Sequence, residues 1–206
     1  FKTGQPLFIK DKFFDYDELI GIDRPKWKKA FREGDFIICR LTPDKYHYNH
    51  VPVSGTVVDI YEINGRYHSC NPGAVVKSVT PYSKNRRIVT VIDTDVENGT
   101  GIGLVAMVEI VAMMIGRIVQ CYSGIRYESP QTLQKGTQLI KGQPKSLFRP
   151  GSSTTVLIFQ HNRIQFSQDL LANAERTNVQ SRFTSGFQKP LVETEITVRQ
   201  TIGEAI

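Results

Sequence analysis

Two of the chain's four histidines, His47 and His50, stand three residues apart in Leu41–Gly55, LTPDKYHYNHVPVSG, interleaved with Tyr46 and Tyr48. Histidine suits proton transfer near neutral pH because its ordinary pKa lies there. On a strand this spacing puts the two rings on opposite faces; on a turn or helix they converge. Catalysis, ordinary polar packing and a weak metal site are all open to such a pair. A second stretch, Lys141–Phe159, KGQPKSLFRPGSSTTVLIF, places Gly151, Ser152 and Ser153 directly before an apolar run. Glycine and serine are ordinary turn residues, so one reading is a turn entering a strand. The other is a site where the backbone cuts itself. A glycine carbonyl is unshielded by any side chain, and a serine hydroxyl deprotonated by a histidine can attack it. Cys39, Cys70 and Cys121 lie far apart with no metal-ligand spacing. They are expected as free thiols, and no metal site is expected.

These residues need a scaffold, and the pattern around them is mainly strand. Phe36–Leu41, Gly55–Ile63, Ile88–Thr94, Val105–Val111, Ile115–Tyr122 and Thr154–Phe159 are rich in Val, Ile, Thr and aromatics. Asn64-Gly65, between Asp59–Ile63 and Arg66–His68, predicts a hairpin turn. Helices are expected at Asp15–Ile20, capped by Asp15 or Asp17, and at Pro25–Phe31, capped by Asp23 with Pro25 in the first turn. Asp95–Thr100 and Asn173–Lys189 read as loops. The longest apolar stretch, Gly101–Gly116, is shorter than the roughly 20 residues a spanning helix needs and carries Glu109 at its centre, so it reads as buried strand. The expected fold is α+β: mainly antiparallel β-sheets in one compact domain with a few short helices.

The 206 residues, 40% of them apolar and 22% charged, suffice for a sizeable core and argue against bulk disorder. Twenty-six basic against 20 acidic residues give a net charge of +6, which favours anionic partners. Arg24–Arg32, RPKWKKAFR, alternates basic residues with Trp27 and Phe31. It could lie on an anionic membrane surface or be a solvated basic helix that packs through its aromatics. No nucleic-acid-binding signature accompanies the charge. The chain opens at Phe1 rather than Met, so it is expected to be a processed or trimmed product whose targeting or membrane segment would lie upstream.

Taken together, the motifs resemble the phosphatidylserine decarboxylase family from about Phe8 to Glu204. The family's Pro-x-x-Tyr-His-x-x-His-x-Pro signature is matched by Pro43, Tyr46, His47, His50 and Pro52, followed by Gly55. Tyr67–Pro72 occupies a region where the family often has Asn-Pro. Asn85-Arg86-Arg87 looks like its Asn-x-Arg segment, and Val105–Val108 and Ile115–Ile118 match its buried strands. Lys141-Gly142 stands before Gly151-Ser152 as the family's Lys-Gly does before its Gly-Ser bond. Gln143–Ser146 departs from the family's acidic residue and glycine.

The resemblance implies a self-made pyruvoyl cofactor derived from Ser152. Ser152 Oγ would attack the Gly151 carbonyl, with His50 taking the hydroxyl proton. β-Elimination and hydrolysis would then divide the chain into 1–151 and 152–206, which stay associated. Counting back from Phe159 favours Ser153 instead. The aspartate that orients the base in the family would fall before Phe1. The mature carbonyl would bind the substrate amine and draw electrons from the carbon that loses CO2, and His47 would return the proton. The implied reaction converts phosphatidylserine to phosphatidylethanolamine on an anionic membrane surface, with the protein peripheral to that membrane and a homodimer allowed. Two alternatives are a relative acting on a free amino acid or another head group, and an unprocessed lipid-binding module.

Overall fold

Ala106, Val108 and Ile110 alternate with Val105, Met107 and Glu109, and all six are buried. A strand with both faces covered belongs in the middle of a sheet sandwiched by other layers. The computed structural model, which describes residues 7–9, 12–14, 16–77, 81–113, 116–149 and 153–206, places it there.

In chain order the elements begin with β1 (Leu7–Ile9), β2 (Lys12–Phe14), α1 (Tyr16–Ile20), α2 (Pro25–Ala30), β3 (Asp35–Leu41), β4 (Tyr48–His50) and β5 (Gly55–Ile63). There follow α3 (Pro72–Lys77), α4 (Pro81–Lys84), β6 (Arg87–Asp93), β7 (Leu104–Ile110), β8 (Arg117–Gln120) and β9 (Gln138–Leu139). The last are β10 (Pro144–Arg149), β11 (Ser153–Phe159), β12 (Ile164–Phe166), α5 (Gln168–Ala174), α6 (Arg182–Phe187) and β13 (Gly203–Ala205). A six-stranded antiparallel sheet runs β3-β11-β7-β6-β5-β9, and a smaller one runs β4-β10-β8. The pairs β1-β2 and β12-β13 form two short ribbons. The α+β expectation holds.

One face of the large sheet carries Val89, Val91, Ala106, Val108, Ile110, Val156 and Ile158. It is covered by helix residues, among them Leu19, Ile20, Trp27, Val76 and Phe187. The opposite face carries Ile92, Val105, Met107, Leu157 and Phe159, covered by Val51, Val53, Tyr122, Leu133 and Leu139. Farther along that second face, Leu41 and Val111 meet Phe148 and Ile118 of the small sheet.

Several expectations change. Asn64-Gly65 does not make a hairpin: β5 pairs with β6 and β9, and Arg66 only bridges to Asn85. Gly65 serves a close approach, since a Cβ there would stand 2.5 Å from the Lys84 carbonyl oxygen. Asn173–Lys189 is not all loop; it contains α6, capped by Ser181, whose hydroxyl accepts from Thr184 N at 3.1 Å. Arg24, not Asp23, is the N-cap residue of α2, and no side chain caps it. Asp15 lies outside the described residues, and Asp17 stands inside the first turn of α1. Trp27 and Phe31 are buried in the core, Trp27 Nε1 donating to Asp59 at 2.8 Å, so Arg24–Arg32 packs through its aromatics. Asn85 and Arg87 are structural. Asn85 bonds the backbone of His68 and Val111, while the buried Arg87 guanidinium donates to the carbonyls of Glu18, Leu19 and Asn85. Burial pushes the Arg87 guanidinium down to about 10.

Candidate active site

Strand alternation sorts the histidine segment. Asn49 points between the sheets, where its Oδ1 accepts from Thr155 Oγ1 at 2.9 Å and its Nδ2 donates to Glu109 Oε1 at 3.2 Å. The His47 carbonyl accepts from Phe148 N at 3.1 Å, which extends the β4–β10 pairing by one residue. His47 therefore shares the inner face with Asn49, and its Nε2 is buried with no hydrogen-bond partner. Tyr46, Tyr48 and His50 occupy the other face. There Tyr46 stacks on Tyr48 with centroids 5.5 Å apart, and Tyr48 meets the edge of Tyr127 at 5.2 Å.

His50 is held at both ring nitrogens. Nδ1 lies 2.7 Å from the Gly142 carbonyl, which can only accept, so Nδ1 carries the proton. Nε2 is then the lone-pair nitrogen and accepts from Tyr46 Oη at 2.7 Å; Tyr127 Oη stands 2.5 Å behind. Burial, and secondarily Arg199, lowers the His50 pKa below its usual value, against the opposing bond to Gly142. The ring is thus a neutral base with a defined tautomer. Arg199 Nε donates to the same carbonyl at 2.9 Å. Gly142 sits at φ +80°, a conformation that side-chain-bearing residues rarely adopt. That gives a physical reason for glycine in the Lys141-Gly142 pair.

Gly151 and Ser152 lie outside the described residues. Ser153, the first residue of β11, is within them. It pairs with Leu41, and by alternation its side chain shares the face of Thr155, which meets Asn49. Its Oγ is buried and has no hydrogen-bond partner. Burying an unpaired hydroxyl costs about 1–3 kcal/mol, so an orphan calls for an explanation. Of the four such orphans among the described residues, the others being Thr90 Oγ1 and Thr154 Oγ1, His47 Nε2 and Ser153 Oγ occupy the facing inner surfaces of two sheets. The structure thus separates the two predicted histidines: His47 is on the serine side, His50 on the tyrosine side.

Sequence reasoning missed the polar layer beside them. Glu109 and Lys145 are both fully buried, 2.6 Å apart. Glu109 also accepts from Gln120 Nε2 at 3.0 Å and from Ser146 Oγ. The signal was present as a glutamate at the centre of the chain's most apolar stretch. Missed as well were Tyr127 and Arg199, which no local pattern marks, and the part played by the carbonyl of Gly142, although the Lys141-Gly142 pair itself stood out in the sequence.

The comparisons with known proteins bear on the family. The family model described as phosphatidylserine decarboxylase matches residues 1–184. Phosphatidylserine decarboxylase proenzyme 2 of rice (Oryza sativa subsp. japonica) is 35% identical over 172 residues, covering 83% of this chain and 25% of its own length. The phosphatidylserine decarboxylase proenzyme of Fusobacterium nucleatum is 30% identical over 185 residues, covering 90% of this chain and 55% of its own. That of Clostridium perfringens is 32% identical over 195 residues, covering 95% and 55%. The chain spans about half, or less, of the length of these relatives. With the motifs in order and the match running through most of its residues, the chain belongs to the phosphatidylserine decarboxylase family.

Proposed function

We propose that the protein carrying this chain decarboxylates phosphatidylserine to phosphatidylethanolamine, using a pyruvoyl group cut from its own serine. The observation that carries the reading is the pair of buried, unpartnered polar atoms, His47 Nε2 and Ser153 Oγ, on facing surfaces of the two sheets, with Ser153 next in sequence to Gly151-Ser152. A protein does not ordinarily leave such groups unpaired, and residues prepared for proton transfer and cleavage fit the pyruvoyl precursor.

In the first reading Ser152 Oγ attacks the Gly151 carbonyl carbon, the C–N bond breaks and an ester forms. His50, neutral and with Nε2 free of a proton, takes the hydroxyl proton. Loss of the α-proton then expels Gly151 as a carboxylate, and water releases ammonia from residue 152. In a second reading, favoured by the orphan hydroxyl, Ser153 is the precursor and His47, on its side of β4, is the base. Once formed, the pyruvoyl group supplies an electron sink for loss of CO2. His47 returns the proton to the substrate carbon. The fragments are expected to stay together, because β11 is hydrogen-bonded between β3 and β7 of the other fragment. Among the described residues no helix is long and apolar enough to cross a membrane, which fits a peripheral protein that meets its lipid at the surface. A homodimer is compatible with this reading.

The test is an intact mass spectrum under denaturing conditions, with and without a hydrazine that traps carbonyls. Cleavage before residue 152 leaves a C-terminal fragment of 206 − 151 = 55 residues, and cleavage before 153 leaves 54. A trapped fragment of either length supports the reading; an uncleaved chain that still binds lipid would replace it with a binding module. Turnover of phosphatidylserine vesicles against free serine then distinguishes the lipid enzyme from an amino-acid decarboxylase.

A further inference from the structure

Between the two sheets, among the described residues, lies a polar layer beside the apolar contact of Leu41, Val111, Ile118 and Phe148. Its centre is the fully buried pair of Glu109 on β7 and Lys145 on β10. Lys145 Nζ donates to Glu109 Oε2 at 2.6 Å and to Gln120 Oε1 of β8 at 3.0 Å. Asn49 Nδ2 reaches Glu109 Oε1 at 3.2 Å and Ser146 Oγ at 3.0 Å, and Asn49 Oδ1 accepts from Thr155 Oγ1 at 2.9 Å. Five strands are joined through this layer.

The placement of the layer matters more than its strength. A buried ion pair is poor evidence for stability, because desolvation offsets the attraction, but its directional bonds are satisfied in only one arrangement. Here that arrangement fixes Asn49, which stands between His47 and His50, to Thr155, two residues from Ser153. A one-residue slip of β4 would turn Asn49 away and reverse the faces of both histidines.

We propose that the Glu109–Lys145 pair, acting through Asn49 and Thr155, is a positioning device that holds the histidine strand in register over the serine strand for self-cleavage. The proposal rests on the self-cleaving decarboxylase reading. None of these side chains need touch the reacting atoms.

The test uses the full protein, expressed as the uncleaved precursor and followed in time by gel and mass spectrometry. Thr155→Val removes the tether while keeping the side chain's shape, Thr155→Ser restores the hydroxyl, and Glu109→Leu/Lys145→Met replaces the pair without stranding a charge. Thr155→Val should process roughly 10- to 100-fold more slowly, the scale produced by small misplacements of reacting groups. Its melting temperature should stay near that of the wild type, and Thr155→Ser should recover the rate. Hydroxylamine, which cleaves the ester, should release less fragment from Thr155→Val than from wild type, placing the defect at the acyl shift. The folded double variant should be equally slow. If Thr155→Val and the folded double variant process at the wild-type rate, the layer is structural and the proposal fails. If the double variant does not fold, the Thr155 pair decides alone. A wild-type chain that never cleaves would overturn the decarboxylase reading and this proposal with it.

Discussion

The large sheet is covered on its two faces by layers of opposite character. Under the helices the contact is mainly apolar: Phe31, Leu19, Ile20, Val89, Ala106 and Ile158 are almost wholly buried. It is interrupted by the Arg87 guanidinium, which is bonded to backbone carbonyls, and by the Thr154 hydroxyl. Under the small sheet the same strands present Ser153, Thr155 and Glu109, and two buried polar atoms there have no partner. The helix side holds the molecule together through area removed from water. The small-sheet side gives up some of that area for bonds that work in one geometry only. Under the proposed function, stability and chemistry are separable, and changes on one side should leave the other largely intact.

The sharpest way to break this comparison is to remove the nucleophile. Of Ser152→Ala and Ser153→Ala, the one that removes the precursor should abolish cleavage and carbonyl trapping, and neither should lower the melting temperature. A loss of stability in Ser153→Ala would mean that its hydroxyl has a structural partner after all. Next in size are the histidines. His50→Gln should slow cleavage, and His47→Gln should slow decarboxylation by cleaved protein, each by about 10²–10⁴-fold, the usual contribution of a positioned acid or base. If His47→Gln blocks cleavage and His50→Gln does not, the roles exchange as the second reading requires.

On the other side, Phe31→Ala should destabilise by about 3–5 kcal/mol in chemical denaturation. The folded fraction should still cleave at the wild-type rate. Ser181→Ala should cost about 1 kcal/mol through loss of the α6 cap, with cleavage unchanged. The smallest effect is a pH slope. Protonation of His50 is disfavoured in the folded chain, so its contribution to stability is complete above its ordinary value of 6.5 and is lost as pH falls through the lowered folded value. Melting temperature measured against pH should drop over that window, and less so in His50→Gln.

How far the sequence could be read depended on where its information lay. The expected strands at Phe36–Leu41, Gly55–Ile63, Ile88–Thr94, Val105–Val111 and Thr154–Phe159 appear as β3, β5, β6, β7 and β11, because their apolar runs are local and strongly β-forming. β10, PKSLFR, carries no such run; it exists because its backbone bonds to β4 and β8. α6 was hidden by its polar composition, and Phe183 and Phe187 stacked at 5.9 Å show what anchors it. Gly65 misled because a glycine required for close approach reads like one required for a turn.

The family, the β-rich core and the two chemical stretches were legible in the sequence, since types and spacings of residues along the chain carry all three. The opposite-face reading of His47 and His50 was also available once β4 was taken as a strand. It took the folded chain to show which histidine lies on the side of Ser153, which carbonyl fixes the His50 tautomer, and that Glu109 is answered by Lys145. Those outcomes depend on the registry of strands distant in sequence, and a single residue of slip would reverse each face without altering any local pattern.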